Sequence, residues 1–149
     1  MRISIAILAC ALTTVGCQAT SVKPEAEITP ETVSPLLMKV EAGEADNISK
    51  VEYTDLIAGN TIRGTNGSTT VYRSDGVKII KEKDGKVTTR KWYRDEGGIL
   101  CHTLWKDESL SCLAEVADFS AARSGSTLFT TSRGFFNEWE LVEGNPENL

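Results

Sequence analysis

The sequence predicts an all-β fold, a small eight-stranded antiparallel meander that closes into a barrel after one short helix. Short runs of strand-forming residues fill the chain from residue 61 onward, and closure would remove their exposed edges. The predicted strands cover residues 61–65, 69–74, 77–83, 86–94, 99–105, 110–117, 127–132 and 135–142. Turn dipeptides that tolerate positive φ separate several of them, namely Asn66-Gly67, Asp75-Gly76, Asp84-Gly85 and Gly97-Gly98.

The first sixteen residues predict an export signal. Met1 and Arg2 precede an apolar run at 3–15, which is too short to span a bilayer as a mature helix. The residues that follow, Thr14-Val15-Gly16-Cys17, resemble the lipobox of bacterial lipoproteins. The resemblance implies cleavage before Cys17 and lipidation of its thiol, hence a membrane anchor; an ordinary secretory signal is the alternative. Gln18 stands where an Asp would resemble an inner-membrane retention signal, so we expect a periplasm-facing outer-membrane location.

The mature chain divides into a tether and a folded domain. Residues 1–16 are the predicted lipoprotein signal peptide, 17–45 a disordered tether rich in Pro, Glu, Thr and Ser, and 46–149 the β-barrel domain. Within the tether, the apolar patch 36–40 either docks on the domain or forms a transient turn. The apolar spacing over 47–58 predicts one short helix, with Asn47 or Thr54 as its N-cap and Gly59 as its stop.

A disulfide is predicted at the centre of the meander. Cys10 leaves with the signal and Cys17 is assigned to lipid, so Cys101 and Cys112 remain as one pair for an oxidising compartment. Their strands pair directly if the loop between them has two residues, Lys106 and Asp107, at its tip. A four-residue loop is also possible, because Lys-Asp lacks the Gly or Asn that a tight turn prefers.

Positive charge concentrates in one predicted hairpin. Between Lys78 and Arg94 seven basic residues stand against Glu82 and Asp84, a local charge of +5 (7 − 2) in a chain of net charge −5. The basic residues are Lys78, Lys81, Lys83, Lys86, Arg90, Lys91 and Arg94. They predict a surface for an anionic lipid or an acidic partner, and the alternative is a solvated hairpin that guards its edges. The chain is acidic overall and is predicted to be exported, so no nucleic acid is expected.

Aromatic residues and the longest predicted loop complete the candidates for ligand contact. Trp92, Trp139 and Phe129 are predicted core residues, and the alternative for the two tryptophans is a platform on which a ligand stacks. The loop 118–126 is rich in small and polar residues. It would act as a lid over a hollow barrel or as a contact surface on a filled one.

No catalytic, metal or cofactor signature is present. His102 adjoins Cys101, but neighbouring strand residues point to opposite faces and cannot act as an acid–base pair. The sequence has no Gly-x-Ser-x-Gly elbow, phosphate loop, zinc spacing or EF-hand pattern. We therefore expect a protein that is not an enzyme.

The order of several turn and core residues resembles small secreted proteobacterial domains of unknown function. The matching features are Gly59-Asn60-Thr61, Tyr72 with Ser74-Asp75-Gly76, Trp92, Cys101, Cys112 and the ending from Gly144 to Leu149. The resemblance spans about residues 54–149 and implies a calycin-like barrel, but no activity. Together with the lipobox it implies an envelope lipoprotein that binds a small hydrophobic ligand or lipid. A protein-binding module, such as a periplasmic hydrolase inhibitor or a structural component of the envelope, is the alternative.

Overall fold

The computed structural model describes residues 34–104 and 109–149, which form a ten-stranded antiparallel sheet and two α-helices. The helices are α1 (Pro35–Glu41) and α2 (Lys50–Ile57), and a 3-10 helix covers Leu113–Glu115. The strands are β1 (Asp46–Ile48), β2 (Thr61–Gly64), β3 (Thr69–Tyr72), β4 (Val77–Lys81), β5 (Val87–Arg94), β6 (Leu100–Thr103), β7 (Leu110–Cys112), β8 (Ser120–Ser124), β9 (Thr127–Ser132) and β10 (Phe135–Val142).

The all-β class is confirmed, but the strand number and the closure differ from the prediction. The strand order is β1-β8-β9-β10-β2-β3-β4-β5-β6-β7, so within the described residues the sheet ends at β1 and β7 and does not close. The strand predicted over 110–117 stops at Cys112, because a 3-10 helix follows it over Leu113–Glu115. The central seam is the pairing of β2 with β10, in which Gly64 lies opposite Trp139.

The predicted loop 118–126 contains the strand β8, and that prediction was wrong. β8 pairs with β9 on one side and with the short β1 on the other. Its Ala121 and Ala122 are buried on opposite faces of the sheet. The small side chains of β8 do not form the β-branched and aromatic pattern that predicts a strand. This strand depends on pairing with its neighbours more than on its own propensity.

Helix α2 lies where a helix was predicted, but its N-cap is Ser49, not Asn47 or Thr54. The Ser49 hydroxyl accepts a hydrogen bond from the Glu52 amide at 3.1 Å, and the Glu52 carboxylate accepts one from the Ser49 amide at 2.7 Å. This reciprocal arrangement is a capping box. Thr54 instead joins α2 to β6, since its buried hydroxyl accepts a 3.0 Å hydrogen bond from the Leu100 amide.

Helix α1 lies inside the range 17–45 that the sequence assigned to a tether. Its Leu36 is 4% exposed and packs in a cluster with Ala45, Ala122 and Phe129. Of the two possibilities for the patch 36–40, docking on the domain is therefore the one observed. Residues 35–45 therefore belong to the packed structure together with the range from 46 onward. The predicted signal peptide and Cys17 lie outside the described residues.

The predicted disulfide is present and staples β6 to β7. Cys101 and Cys112 lie directly opposite each other in the register, with their Cα atoms 4.0 Å apart. The ladder continues outward to a hydrogen bond from the Leu104 amide to the Ser109 carbonyl. The loop tip at 105–108, where two turn lengths were considered, lies outside the described residues.

The two faces of the sheet bury different sets of side chains. We call the face that packs against α2 the inner face; six strands send one buried side chain each to its cluster, and α2 adds Tyr53 and Ile57. The strand residues are Ile62, Tyr72, Trp92, Leu100, Ala121 and Leu128. The opposite, outer face carries α1, and hydrogen bonds join it to the C-terminal segment 143–149.

Candidate functional site

Basic side chains from three neighbouring strands meet on the inner face. Lys78 on β4 lies opposite Tyr72 on β3 and Arg90 on β5, and Trp92 lies opposite His102 on β6. Because strand residues two apart share a face, Arg90, Trp92 and His102 point to the same side as Lys78. We call Lys78, Arg90 and His102 the inner basic cluster.

Lys78 is a buried cation. Its side chain is 9% exposed, and its Nζ lies 4.9 Å from the centroid of the Tyr72 ring, a cation–π contact. Burial, and secondly the nearby positive charge of Arg90, lower the pKa of Lys78 to about 8. Among the described residues no carboxylate forms an ion pair with it.

His102 stays neutral at physiological pH. Burial, then the charges of Lys78 and Arg90, lower the pKa of His102 to about 4. Its Nδ1 is buried and has no hydrogen-bond partner among the described residues. A buried polar nitrogen without a partner is uncommon in folded proteins, which makes this atom unusual among the described residues.

Aromatic rings form the wall behind the basic cluster. Tyr72 and Trp92 meet edge to face, with their ring centroids 5.7 Å apart. The indole Nε1 of Trp92 donates a 2.9 Å hydrogen bond to the Arg73 carbonyl, and burial raises the pKa of Tyr72 above its ordinary value. Trp92 is 7% exposed, which agrees with its predicted role in the core. Its ring lies on the same face of the sheet as the inner basic cluster.

A cleft of about 460 Å³ adjoins the cluster at His102. It lies between the β6–β7 hairpin and the β9–β10 turn, where Phe135 is 72% exposed. Its apolar lining residues are Leu104, Leu113, Val116 and Phe135, and its polar ones are His102, Ser111, Ser132, Arg133 and Asn137. Among residues 34–104 and 109–149, the lining contains cationic and neutral groups but no carboxylate, and the size is within the range of small-molecule sites.

The other predicted binding residues do not share this site. Lys83, Lys86 and Lys91 are exposed, and Arg94 forms an ion pair with Asp55 of α2. The predicted basic surface is thus divided between the two faces and the hairpin turn. Trp139, the other predicted stacking residue, is half-buried and donates a 3.1 Å hydrogen bond from Nε1 to the Thr130 hydroxyl.

Lys81 belongs to an outer-face cluster that the sequence analysis did not identify. Its Nζ lies 3.2 Å from Glu147, whose other carboxylate oxygen lies 3.4 Å from Arg63 Nε and 3.3 Å from the Thr69 hydroxyl. The hydrogen bond and charge of Lys81, helped by Thr69 and Arg63, lower the pKa of Glu147. We call these four residues the outer clamp, because they hold the C-terminal segment across β2, β3 and β4.

The sequence analysis considered His102 only as a neighbour of Cys101 and did not connect it with Lys78. The alternation of side chains places residues 90, 92 and 94 together, but the pairing of Trp92 with His102 follows from the register of β5 and β6. Lys78 and Arg90 share a face because the register pairs Lys81 with Val87, whereas a two-residue Asp84-Gly85 turn between the predicted strands would have placed Lys78 opposite Lys91.

Comparisons with protein-family models, with curated proteins and with solved structures gave no significant match. The resemblance to secreted β-barrel domains therefore stays a prediction. In the described part of the chain, neither helix has the length and apolar character needed to cross a bilayer.

Proposed function

We propose that this chain is a non-enzymatic, lipid-anchored protein of the bacterial envelope whose folded domain binds a small amphipathic molecule in the cleft beside His102. The observation that carries the proposal is the lining of this cleft, which joins exposed apolar side chains to the inner basic cluster. Phe135 is 72% exposed and Leu104 39% exposed, and both line the cleft; exposed apolar side chains grouped in one cleft favour a binding site. The proposed ligand would cover both residues.

The interior of the fold supports a cleft ligand over one held in the centre of a hollow barrel. Tyr53 and Ile57 of α2 fill the inner face and pack against Trp92, Leu100 and Leu128. Space for a ligand is therefore proposed at the open end of the face, beyond Trp92. The carrier expected from the calycin-like resemblance is therefore proposed with its ligand in the cleft and not inside a hollow barrel.

Native mass spectrometry of the full-length protein, solubilised from bacterial envelopes, tests the ligand. We expect the wild type to retain a small molecule and Phe135→Asp to lose most of it. Val87→Asp is the matched control, because Val87 is also exposed, at 52%, and lies outside the cleft. An equal retention by Phe135→Asp and the control would contradict the cleft as the site.

The proposed anchor has its own test. Cys17→Ser is expected to abolish incorporation of labelled palmitate and to remove the corresponding mass increase, because the lipid would be attached to that thiol. Labelling that persists in Cys17→Ser would exclude the lipobox assignment. The cleft proposal does not depend on that result.

A protein partner is the second candidate, and the strand β7 favours it. Within the described part of the chain β7 ends the sheet, and its Leu110 is 54% exposed. An unpaired strand edge with an exposed apolar side chain suits the addition of a strand from another protein, for example a periplasmic hydrolase or an envelope component. A protein retained in the mass spectrum, lost on Leu110→Asp but not on Phe135→Asp, would favour this candidate.

A further inference from the structure

Helix α1 carries apolar side chains on the side that faces the sheet and on the side that faces away from it. Leu36 is 4% exposed and Val40 packs in the same cluster, so these residues hold α1 on the outer face. Leu37 is 44% exposed and Met38 59% exposed. Successive helix positions differ by about 100°, so Met38 points away from the side on which Leu36 packs. The outward side of α1 therefore presents two neighbouring apolar side chains.

A groove of about 610 Å³ continues this apolar surface beside the helix. Pro35, Leu37 and Phe136 belong to its lining. Exposed apolar side chains that are scattered singly are ordinary, whereas a group of them indicates an interaction surface. We call Pro35, Leu37, Met38 and Phe136 the α1 patch.

The charges of α1 do not favour a charged partner. Lys39 is the one basic residue of the helix, and its Nζ lies 3.4 Å from the Glu44 carboxylate and 4.9 Å from the centroid of the Phe129 ring. Its charge is therefore compensated within the fold. Glu41 is exposed and would repel an anionic surface. The α1 patch accordingly suits an apolar partner.

The position of α1 in the chain indicates which apolar partner this is. Sixteen residues, 18–33, separate the proposed lipid attachment at Cys17 from Ser34, which precedes α1. A chain of this length spans at most about 60 Å, whatever its conformation. The anchor would therefore keep the patch close to the bilayer, at an effective concentration in the millimolar range. A few apolar side chains can then make a membrane contact that would be too weak for an untethered protein.

We propose that the α1 patch lies on the lipid bilayer that holds the anchor, with Leu37 and Met38 inserted between the lipid headgroups. This inference rests on the lipid anchor of the proposed function and adds the face by which the domain contacts the membrane. The cleft beside His102 lies on the inner face, whereas α1 lies on the outer face. The membrane contact would therefore leave the cleft open to its ligand.

Methionine methyl groups provide the readout, because the sequence contains two methionines and Met1 leaves with the predicted signal peptide. The protein is labelled at these methyl groups, purified with its lipid from bacterial envelopes, placed in phosphatidylcholine nanodiscs and followed by NMR. Two paramagnetic probes are compared, a lipid spin-labelled in the upper part of its acyl chain and a water-soluble gadolinium chelate. Leu37→Asp is the test variant. Val87→Asp, at a position of β5 that is 52% exposed, is the matched control.

We expect the spin-labelled lipid to broaden the Met38 resonance and the chelate to leave it sharp. Leu37→Asp should lose most of the broadening by the lipid and gain broadening by the chelate, because a carboxylate is costly to remove from water. Val87→Asp should behave as the wild type. High salt should leave the lipid broadening unchanged, since salt screens contacts between charges. A loss of broadening at high salt would contradict an apolar contact.

Other outcomes would overturn the inference. A Met38 resonance that only the chelate broadens, in protein whose mass includes the lipid, would exclude the membrane contact and leave the anchor standing. A mass without lipid would exclude the anchor and, with it, this contact. Protection of Met38 from both probes by a co-purified protein would exclude the bilayer as the partner of the patch.

The variants separate a contact from mere proximity. Equal lipid broadening in the wild type and Leu37→Asp would overturn the inference, because the anchor alone would then account for the distance to the lipid. Leu37→Ala, a change that favours the helix, replaces Leu37→Asp if the acidic variant has a lower denaturation midpoint. It should also reduce the lipid broadening, and unchanged broadening would contradict the contact.

Discussion

Lys78 and Lys81 belong to the same strand, yet the two lysines have opposite surroundings. Lys78 points to the inner face, is buried against Tyr72 and faces two basic groups. Lys81 points to the outer face, is 41% exposed and pairs with Glu147. The comparison shows that residue type and local sequence do not determine a charge's role; the face of the strand does.

The two faces also differ in how their charges affect stability. The outer clamp balances Lys81 and Arg63 against Glu147 in contact with water, where an ion pair contributes little. The inner basic cluster holds charge away from water, where an uncompensated ammonium is destabilising. Substitutions on the inner face are therefore expected to have the larger effects.

The largest effect is expected from the staple beside the inner basic cluster. The double variant Cys101→Ala/Cys112→Ala should lose about 2–3 kcal/mol of unfolding free energy, because the closed loop between the cysteines is short. Urea denaturation of the oxidised protein, the reduced protein and the variant measures the loss. The unfolding free energy of the double variant should not change with reductant, which makes the variant the control. An unchanged unfolding free energy of the wild type after reduction would contradict the prediction.

Lys78→Met should stabilise the protein by about 1–3 kcal/mol at pH 7, since it removes a buried charge and keeps the side-chain length. Lys81→Met should instead destabilise it by less than about 1 kcal/mol.

The folded pKa of Lys78, about 8, is below its ordinary value of 10.5, so between these values the unfolded chain holds a proton that the folded chain does not. Wild-type stability should therefore rise from pH 8 to 10.5. Denaturation at several pH values should show this rise in Lys81→Met but not in Lys78→Met.

His102 should make the protein less stable in mild acid. Its folded pKa of about 4 is below the ordinary 6.5, so the unfolded chain binds the proton first as the pH falls through this window. The loss should reach about 1–2 kcal/mol at pH 4, a value reduced for the solvent that screens this half-buried ring. His102→Gln should remove the dependence. An imidazole resonance that titrates near pH 6.5 in the wild type would contradict the prediction.

Glu147→Gln is expected to have the smallest effect, a loss of less than about 1 kcal/mol, because the outer clamp is hydrated. The folded pKa of Glu147 is lowered from 4.5, so its contribution is present above that pH and is lost as the pH falls below it. Denaturation should show the wild type more stable than Glu147→Gln at pH 7. At pH 3 the two proteins should have the same unfolding free energy. Glu143→Gln, an exposed change in the same segment, is the control.

Local patterns were enough to predict the hairpins and the staple. The Asp75-Gly76 and Asp84-Gly85 turns connect β3 to β4 and β4 to β5 as expected, and Cys101 lies opposite Cys112. Turn chemistry and side-chain alternation act within a few residues, so one sequence is sufficient to find them.

The site was only partly predictable, because it depends on distant registers. Lys78 and Arg90 were both predicted as binding residues, but the charge count along the hairpin grouped them with exposed Lys83 and Lys86. The contribution of His102 requires the pairing of β5 with β6, and the partner of Lys81 comes from the C-terminal segment. Tertiary pairing of this kind leaves no local signature.

The seam between β2 and β10 has a consequence for folding kinetics. Each hairpin from β2 to β7 forms between neighbours in sequence, whereas Gly64 and Trp139 must meet across most of the domain. Closing so long a loop costs chain entropy before any contact compensates it, which places folding in the slow range of milliseconds to seconds. Until the seam forms, β2 and β10 each present an open edge to other unfolded chains.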